Sequence, residues 1–453
     1  MSRSVRQVHL AAHFPGVNNT TVWTDPAAGS QIDFSSFEHF ARTAERGLFD
    51  YVFLAEGLRL REHNGRVHEL DVLGRPNTLA ILAALAGITE HVGLVGTLTT
   101  TFNEPYELAR QLATLDHLSG GRAGWNAVTS SDAFHGANFR RGGFLDHADR
   151  YERAREFAAL AKDLWDSWPA DGVRADAATG EFLGDGVPSR VRHQGPQFDV
   201  DALFDVPRSP QGRPVIVQAG DSADGRRFGA EHAEVIFSLH TGFDDARAFY
   251  DDVKGQLPAW GRTEDSLKIL PAVTFAIGDT PAEATERSRE IALAQVRPEI
   301  AIRYLEGVWN RDLSQYDPDG PLPDIEPDTG AATAQGWANR HAAVGKRIGA
   351  LREVSETEGL SIRDTVIRLT ANHTFVGTPG HIAAEIDRYV QERATDGFTV
   401  VGHVTPHGLD EFAEKVVPLL QERGSYRESY EDGATLRDLL GLPAPHPAVV
   451  AAR

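Results

Sequence analysis

Two hydrophobic patterns alternate along the chain. Short apolar runs, mostly without polar interruption, occur at Val8–His13, Tyr51–Ala55, Val92–Thr99, Arg122–Val128, Pro214–Ala219, Val235–Leu239, Ile269–Ile277 and Phe398–His403. After most of them the apolar positions recur every three or four residues, the period of an amphipathic helix. After the first run, Phe34, Phe37, Ala41, Ala44 and Leu48 share one face. Ser35 and Glu38 have the spacing of a capping box there, and Gly47 reads as the stop. The same reasoning predicts helices over Asn77–Thr89, Pro105–Ser119, Asp149–Trp168, Phe243–Leu257, Pro281–Val296, Pro379–Arg393 and Leu409–Gln421. Pro105 suits a first helical turn.

Runs of this kind suit parallel strands buried on both faces. Eight strand–helix units closing on themselves remove every sheet edge. The expected fold is therefore α/β, a (β/α)8 TIM barrel with two insertions and a C-terminal extension. An open doubly wound sheet is the alternative, but no G-x-G-x-x-G follows the first strand. The rhythm breaks twice. Residues 169–213 hold Gly, Pro and Asp clusters and two short polar strands, Val191–His193 and Gln197–Asp199, expected to pair as a small hairpin. Residues 297–375 are rich in Asp, Pro and Gly and are expected to form a lid. Residues 423–453 form a C-terminal arm that could cover a neighbouring subunit.

Composition then narrows the function. The 453 residues contain no Cys and one Met, with 45 Lys+Arg against 65 Asp+Glu and a net charge of −20. Without Cys there is no disulfide framework, thiolate metal site, iron–sulfur cluster or thiol nucleophile. The acidic balance, with no basic cluster, argues against nucleic acid and anionic membranes. Met1–Leu10 lacks the apolar stretch of a secretory signal, and apolar runs such as Leu79–Ile88 are too short to span a bilayer. A cytoplasmic protein is expected.

In such a barrel the chemistry sits at the C-terminal ends of the strands. Those ends carry His13, Glu56, Thr99–Thr101, Asn126, Thr129–Ser130, Gln218, His240 and His403. They describe either a polar pocket or strand ends that simply meet water. No H-E-x-x-H, P-loop or nucleophile-elbow motif is present. His63 and His68, beside Glu62, Glu69 and Asp71, read as a solvated loop rather than a metal site. The segment Asp171–Asp185 resembles a calcium loop in composition only. An organic cofactor is then the better source of reactivity. The turn Gln218–Arg227 follows the fifth strand and opens a helix. It is either a phosphate site, with Ser222 and Arg226 facing an anion, or an ordinary turn capped by Ser222 or Asp221.

The segment Gly120–Ser130 (GGRAGWNAVTS) resembles the fourth-strand signature of bacterial-luciferase-like flavin monooxygenases, in the branch of the nitrilotriacetate and dibenzothiophene-sulfone monooxygenases. Pro105–Arg110, Ala113–Ser119, Arg150–Phe157, Leu164–Trp168, Gln218–Arg226, Asp396–Phe398, Val417–Leu420 and Thr435–Arg437 resemble the same branch in the same order. The resemblance implies a luciferase-like barrel using reduced FMN, supplied by a separate NAD(P)H:flavin reductase, with O2 as co-substrate. A peroxyflavin would then insert one oxygen atom into a small organic substrate. It also implies a homodimer or homotetramer.

By position the resemblance assigns Glu56 (where the family usually has Asp), Thr99 and Asn126 to the flavin ring. It assigns Tyr151, Gly220, Ser222, Gly225 and Arg226 to the phosphate end. His13 and Ser130 fall on the reaction pocket, and some members have His in place of Ser130. His13 or His240 is then either the proton donor or part of the lining. Two other functions stay open: a deazaflavin-dependent oxidoreductase on the same fold, and a non-catalytic flavin-binding protein. Arg59, Arg61 and Arg66 either attract an anionic substrate or form a solvated loop. Trp23, Phe102, Trp125 and Phe134 are either an apolar wall for substrate or core packing. The missing Cys and single Met suit a protein that handles peroxide, and equally a compositional bias towards Ala, Arg and Gly.

Overall fold

The computed structural model describes residues 5–16, 21–58, 60, 62–63, 66–67, 75–130, 138–139, 147–184, 186–328 and 341–445. All eight expected strands form: β1 (His9–His13), β2 (Tyr51–Leu54), β3 (Gly93–Thr99), β4 (Ala123–Val128), β5 (Val215–Gln218), β6 (Val235–Ser238), β7 (Lys268–Ile277) and β8 (Gly397–Val401). Each pairs in parallel with its sequence neighbours, β1 pairs with β8, and β6 pairs with β7, so the barrel is closed. A short strand, Phe375–Gly377, extends the edge of β7 in parallel.

The period of two decides what fills the barrel. Ala11, Tyr51, Phe53, Val95, Val215, Val217, Val235 and Leu270 pack together inside it. The alternate residues face the helices: Trp125 of β4 packs on Phe157 and Trp165. These belong to α4 (His147–Asp166), which follows α1 (Phe34–Arg46), α2 (Thr78–Ala86) and α3 (Pro105–Leu118) in the outer layer. Later come α5 (Ala223–His232), α6 (Phe243–Gln256) and α7 (Pro281–Gln295).

The capping box expected at Ser35 and Glu38 does not form. The helix begins two residues earlier, at Phe34, with Asp33 as its N-cap and no side-chain cap. Glu38 instead pairs with Arg42 one turn on, at 2.9 Å. Gly47 ends the helix as expected.

The first irregular segment contains a hairpin, Val191–Gln194 against Asp199–Ala202, whose second strand starts two residues later than the expected Gln197–Asp199. It also holds a second, Val173–Asp176 against Glu181–Leu183, on the stretch that resembled a calcium loop. After β7 the chain adds α8 (Pro298–Trp309), α9 (His341–Glu358) and α10 (Ile362–Thr370). Ala301, Leu305, Trp309, Leu351, Ile362 and Val366 form a core of their own, which Ala292 and Val296 join. α11 (Pro379–Gln391) returns the chain to the barrel, and α12 (Asp410–Lys415) and α13 (Val417–Glu422) follow β8. Among the described residues no helix is long and apolar enough to cross a membrane.

The C-terminal arm folds under its own barrel. α14 (Leu436–Leu439) sends Leu436, with Leu440 and Leu442, into the interior cluster. Gly93 and Gly124 make room for it: a Cβ on Gly93 would lie 2.6 Å from a methyl of Leu436. Arg437 closes the floor with a buried two-pronged pair to Glu234, at 2.5 and 3.2 Å. Burial alone would raise the Glu234 carboxyl, but Arg437 holds it down to about 2.

Candidate active site

The open end of the barrel is built from positions two residues apart on β3 and their partners on β4. Thr97 and Thr99 continue the inward face of Val95, and Asn126 lies opposite Thr97 in register. Asn126 Nδ2 donates to Thr97 Oγ1 at 2.9 Å, while Asn126 Oδ1 is buried without a partner. Ser130 donates from Oγ to Thr99 Oγ1 at 2.8 Å, and its amide donates to Thr101 Oγ1 at 3.1 Å. Sequence reasoning missed Thr97, although the alternation that selected Thr99 also points to it.

His13 ends β1 among aromatic rings, 5.1 Å from Phe53 and 6.2 Å from Phe237. It is only 3% exposed, and its Nδ1 has no hydrogen-bond partner. Burial, reinforced by the charge of Arg75, lowers its pKa to about 3. His13 is therefore a neutral imidazole at physiological pH. It can offer or accept a hydrogen bond, but it does not serve as an imidazolium acid. Glu56, just beyond β2, moves the opposite way. Burial raises its pKa to about 7, against a backbone hydrogen bond from Thr99. A carboxyl poised near neutrality at a barrel mouth has the profile of a proton-transfer group.

The turn after β5 forms the other half. Ser222 caps α5 by accepting from the Gly225 amide at 3.1 Å, and its Oγ lies 3.4 Å from Tyr151 OH. Gly220 and Gly225 are pressed together beneath that hydroxyl. A Cβ on Gly225 would fall 2.8 Å from the backbone of Gly220 and 2.9 Å from Tyr151 OH. One on Gly220 would fall 2.2 Å from Gln218 Nε2. Tyr151, Gly220, Ser222 and Gly225 thus converge at a helix N-terminus, where the dipole and free amides favour an anion.

Arg226 and His240 brace this turn. Arg226 pairs with Asp252 at 2.8 Å and Asp221 at 3.3 Å, with its guanidinium 5.0 Å from the centre of the Phe249 ring. His240 joins Asp221 at 2.8 Å and Asp245 at 2.7 Å and stacks on the same ring. Burial opposes its charge, but the two carboxylates win and raise its pKa. The expectation placed His240 beside His13 as an alternative proton donor; here it fastens the loop instead.

Trp125 is not a pocket wall. It faces α4 and donates its Nε1–H to the Leu98 carbonyl at 2.9 Å. Trp23 is half-exposed, under the guanidinium of Arg297. Phe102 stacks on Phe139 at 4.2 Å. Arg59, Arg61, His68, Glu69, Asp71 and Phe134 lie outside the described residues. Glu62–His63 pairs with Arg66–Val67 as a two-residue hairpin.

A family profile described as "Luciferase-like monooxygenase" matches residues 16–396. The chain is 37% identical to the N-acetyl-S-(2-succino)cysteine monooxygenase of Bacillus subtilis (strain 168), over 98% of this chain and 99% of that protein. It is 38% identical to nitrilotriacetate monooxygenase component A of Aminobacter aminovorans, covering 94% of each. Among solved structures, a riboflavin lyase with modified FMN and riboflavin superposes with a TM-score of 0.80 at 29% identity, covering 97% of each chain.

Proposed function

Since the chain belongs to the luciferase-like monooxygenase family and is an oxidoreductase of that kind, we propose that it works with reduced FMN delivered by a separate NAD(P)H:flavin reductase. The observation that carries this is the pairing of two half-sites across one barrel mouth. One is a glycine cradle under Tyr151 and Ser222, which a single Cβ would fill. The other is a dry wall where His13 Nδ1 and Asn126 Oδ1 lack partners. Buried polar atoms of that sort normally find a partner, and a flat heterocycle with edge donors and acceptors would supply it.

In this reading Tyr151, Gly220, Ser222 and Gly225 hold the phosphate, and Arg226 with His240 keeps their loop in place. Asn126, Thr99 and Glu56 border the ring. Bound reduced flavin would supply the electrons that activate O2, so that one oxygen atom reaches a small organic substrate. The Phe53, Phe237 and His13 rings exclude water from that space. Ser130 donates to Thr99, whose own hydroxyl donates to the Val128 carbonyl at 3.3 Å, so this wall of the site is held rigid. Glu56, with its pKa near neutrality, takes or gives the proton.

Anaerobic titration tests the reading. Reduced FMN is expected to bind at micromolar concentration, more tightly than reduced deazaflavin. With a generic flavin reductase and O2, the protein is expected to oxygenate a member of a substrate panel. No binding of reduced FMN at tens of micromolar would overturn the proposal. Preference for the deazaflavin would move the function to an oxidoreductase of the same fold, and binding without any oxygenated product would leave a flavin carrier.

A further inference from the structure

Arg75 lies on the segment between β2 and α2, and its charge reaches the His13 ring at the end of β1. Its guanidinium has five N–H donors. The protein engages it through one hydrogen bond, from Nη2 to the Pro15 carbonyl at 3.0 Å, and through the face of Phe14, 5.4 Å from the ring centre. Nε and Nη1 are shut off from solvent and have no partner. Burial lowers its pKa, to about 10, and among the described residues no carboxylate pairs with it. Arg427 and Arg437 also leave one buried nitrogen unpartnered, but each has a carboxylate, Asp50 and Glu234, and Arg122 spends its donors on five backbone or hydroxyl oxygens.

A partly buried cation with two desolvated, unspent donors implies a missing anion. The phosphate of the cofactor does not fit that place. Its cradle follows β5, on the far side of a closed barrel whose mouth is roughly 15 Å wide, judged from strand spacing and tilt. The anion at Arg75 must come from the other molecule in the mouth.

We propose that Arg75 is the anion-receiving group of the substrate pocket, and that the substrate carries a carboxylate which pairs with Arg75 beside His13. This rests on the monooxygenase reading for the word substrate, but the anion site is testable without it. Nε–H and Nη1 point from different edges of the guanidinium, so each can give a carboxylate oxygen a separate charge-assisted hydrogen bond. The rings of Phe14, Phe53 and His13 provide an apolar surround in which such a pair is strong.

The test uses calorimetric titration of the full chain with succinate, benzoate and citrate, and with succinamide and benzamide as uncharged controls. At least one carboxylate is expected to bind the native protein, and neither amide. Arg75→Gln is expected to weaken that binding by about tenfold or more. Arg75→Lys, which keeps the charge but loses the fork, should fall between. Arg75→Met, which keeps the apolar stem, decides the matter should Gln disturb the fold.

Reduced FMN is titrated separately into the same samples, and its affinity should be unchanged within about threefold. No carboxylate binding by the native protein, or equal binding by Arg75→Gln, overturns the proposal. So does a variant that loses reduced FMN while keeping the carboxylate, because Arg75 would then serve the anionic flavin. Arg75-dependent carboxylate binding without flavin binding would uphold the anion site and overturn the cofactor reading.

Discussion

Single side chains set the chemistry of this barrel mouth, and Glu56 and His13 are displaced in opposite senses by the same cause. His13 is buried and Glu56 partly so; desolvation penalises charge, so the acid is harder to ionise and the base harder to protonate. For Glu56 the consequence is direct. A 13C titration of the glutamate carboxyls should show one midpoint near 7, and Glu56→Gln should remove it. The sign for stability follows. The folded carboxyl holds its proton more firmly than the unfolded one, so its contribution is complete below about 4.5 and lost as pH rises through about 7. Glu56→Gln should therefore gain stability over the parent across that interval, by on the order of 3 kcal/mol at neutral pH. The position of Glu56 could be read from the sequence, because a polar residue closes an apolar strand. Its protonation state could not, because that depends on how completely neighbouring strands bury it. The same holds for Arg75. Nothing in Gly74-Arg75-Pro76 signals a partly buried cation, and only three-dimensional packing shows which donors go unspent.

Among the elements, the turn joining β5 to α5 shows why a motif and its role separate. Its glycines are required by contact, since Gly220 and Gly225 touch backbone to backbone under Tyr151. Gly225→Ala should push the turn open, weakening FMN binding at least about tenfold for a stability loss of about 1–3 kcal/mol. Fluorescence quenching of FMN and a thermal melt check both parts. The strands were legible because an uninterrupted apolar run has few other uses, and the helices because their inner faces repeat every three or four residues. The failures were local. The Ser35 cap yielded to a start at Phe34, which places Phe37, Phe40 and Ala41 against the barrel. The second hairpin is fully exposed along β-strand Glu181–Leu183 and leaves no hydrophobic alternation to read. The roles of Arg226 and His240 were missed because their partners, Asp252 and Asp245, stand on the next helix.

At the scale of the molecule, the two ends of the barrel have different tasks. The open end is polar and lined by groups that can meet ligands; the closed end is plugged by apolar side chains and the Arg437–Glu234 pair. Removing Arg437 would strand Glu234 as an unpaired buried carboxylate, so Arg437→Ala should cost about 3–5 kcal/mol in denaturant unfolding. Its pH dependence identifies the mechanism. Glu234 is displaced downwards, so its contribution is present above about 4.5 and disappears as pH falls towards about 2. The parent should lose stability across that window, and the variant should lose less. The plug that accompanies this pair also bears on the order of synthesis. β8 ends at Val401, yet the barrel's interior is complete only when Leu436, Leu440 and Leu442 arrive. A nascent chain on the ribosome can therefore hold all eight strands while its floor is still open. The last step of folding then waits on about forty further residues, roughly two to eight seconds of translation, during which the interior apolar surface remains a target for chaperones.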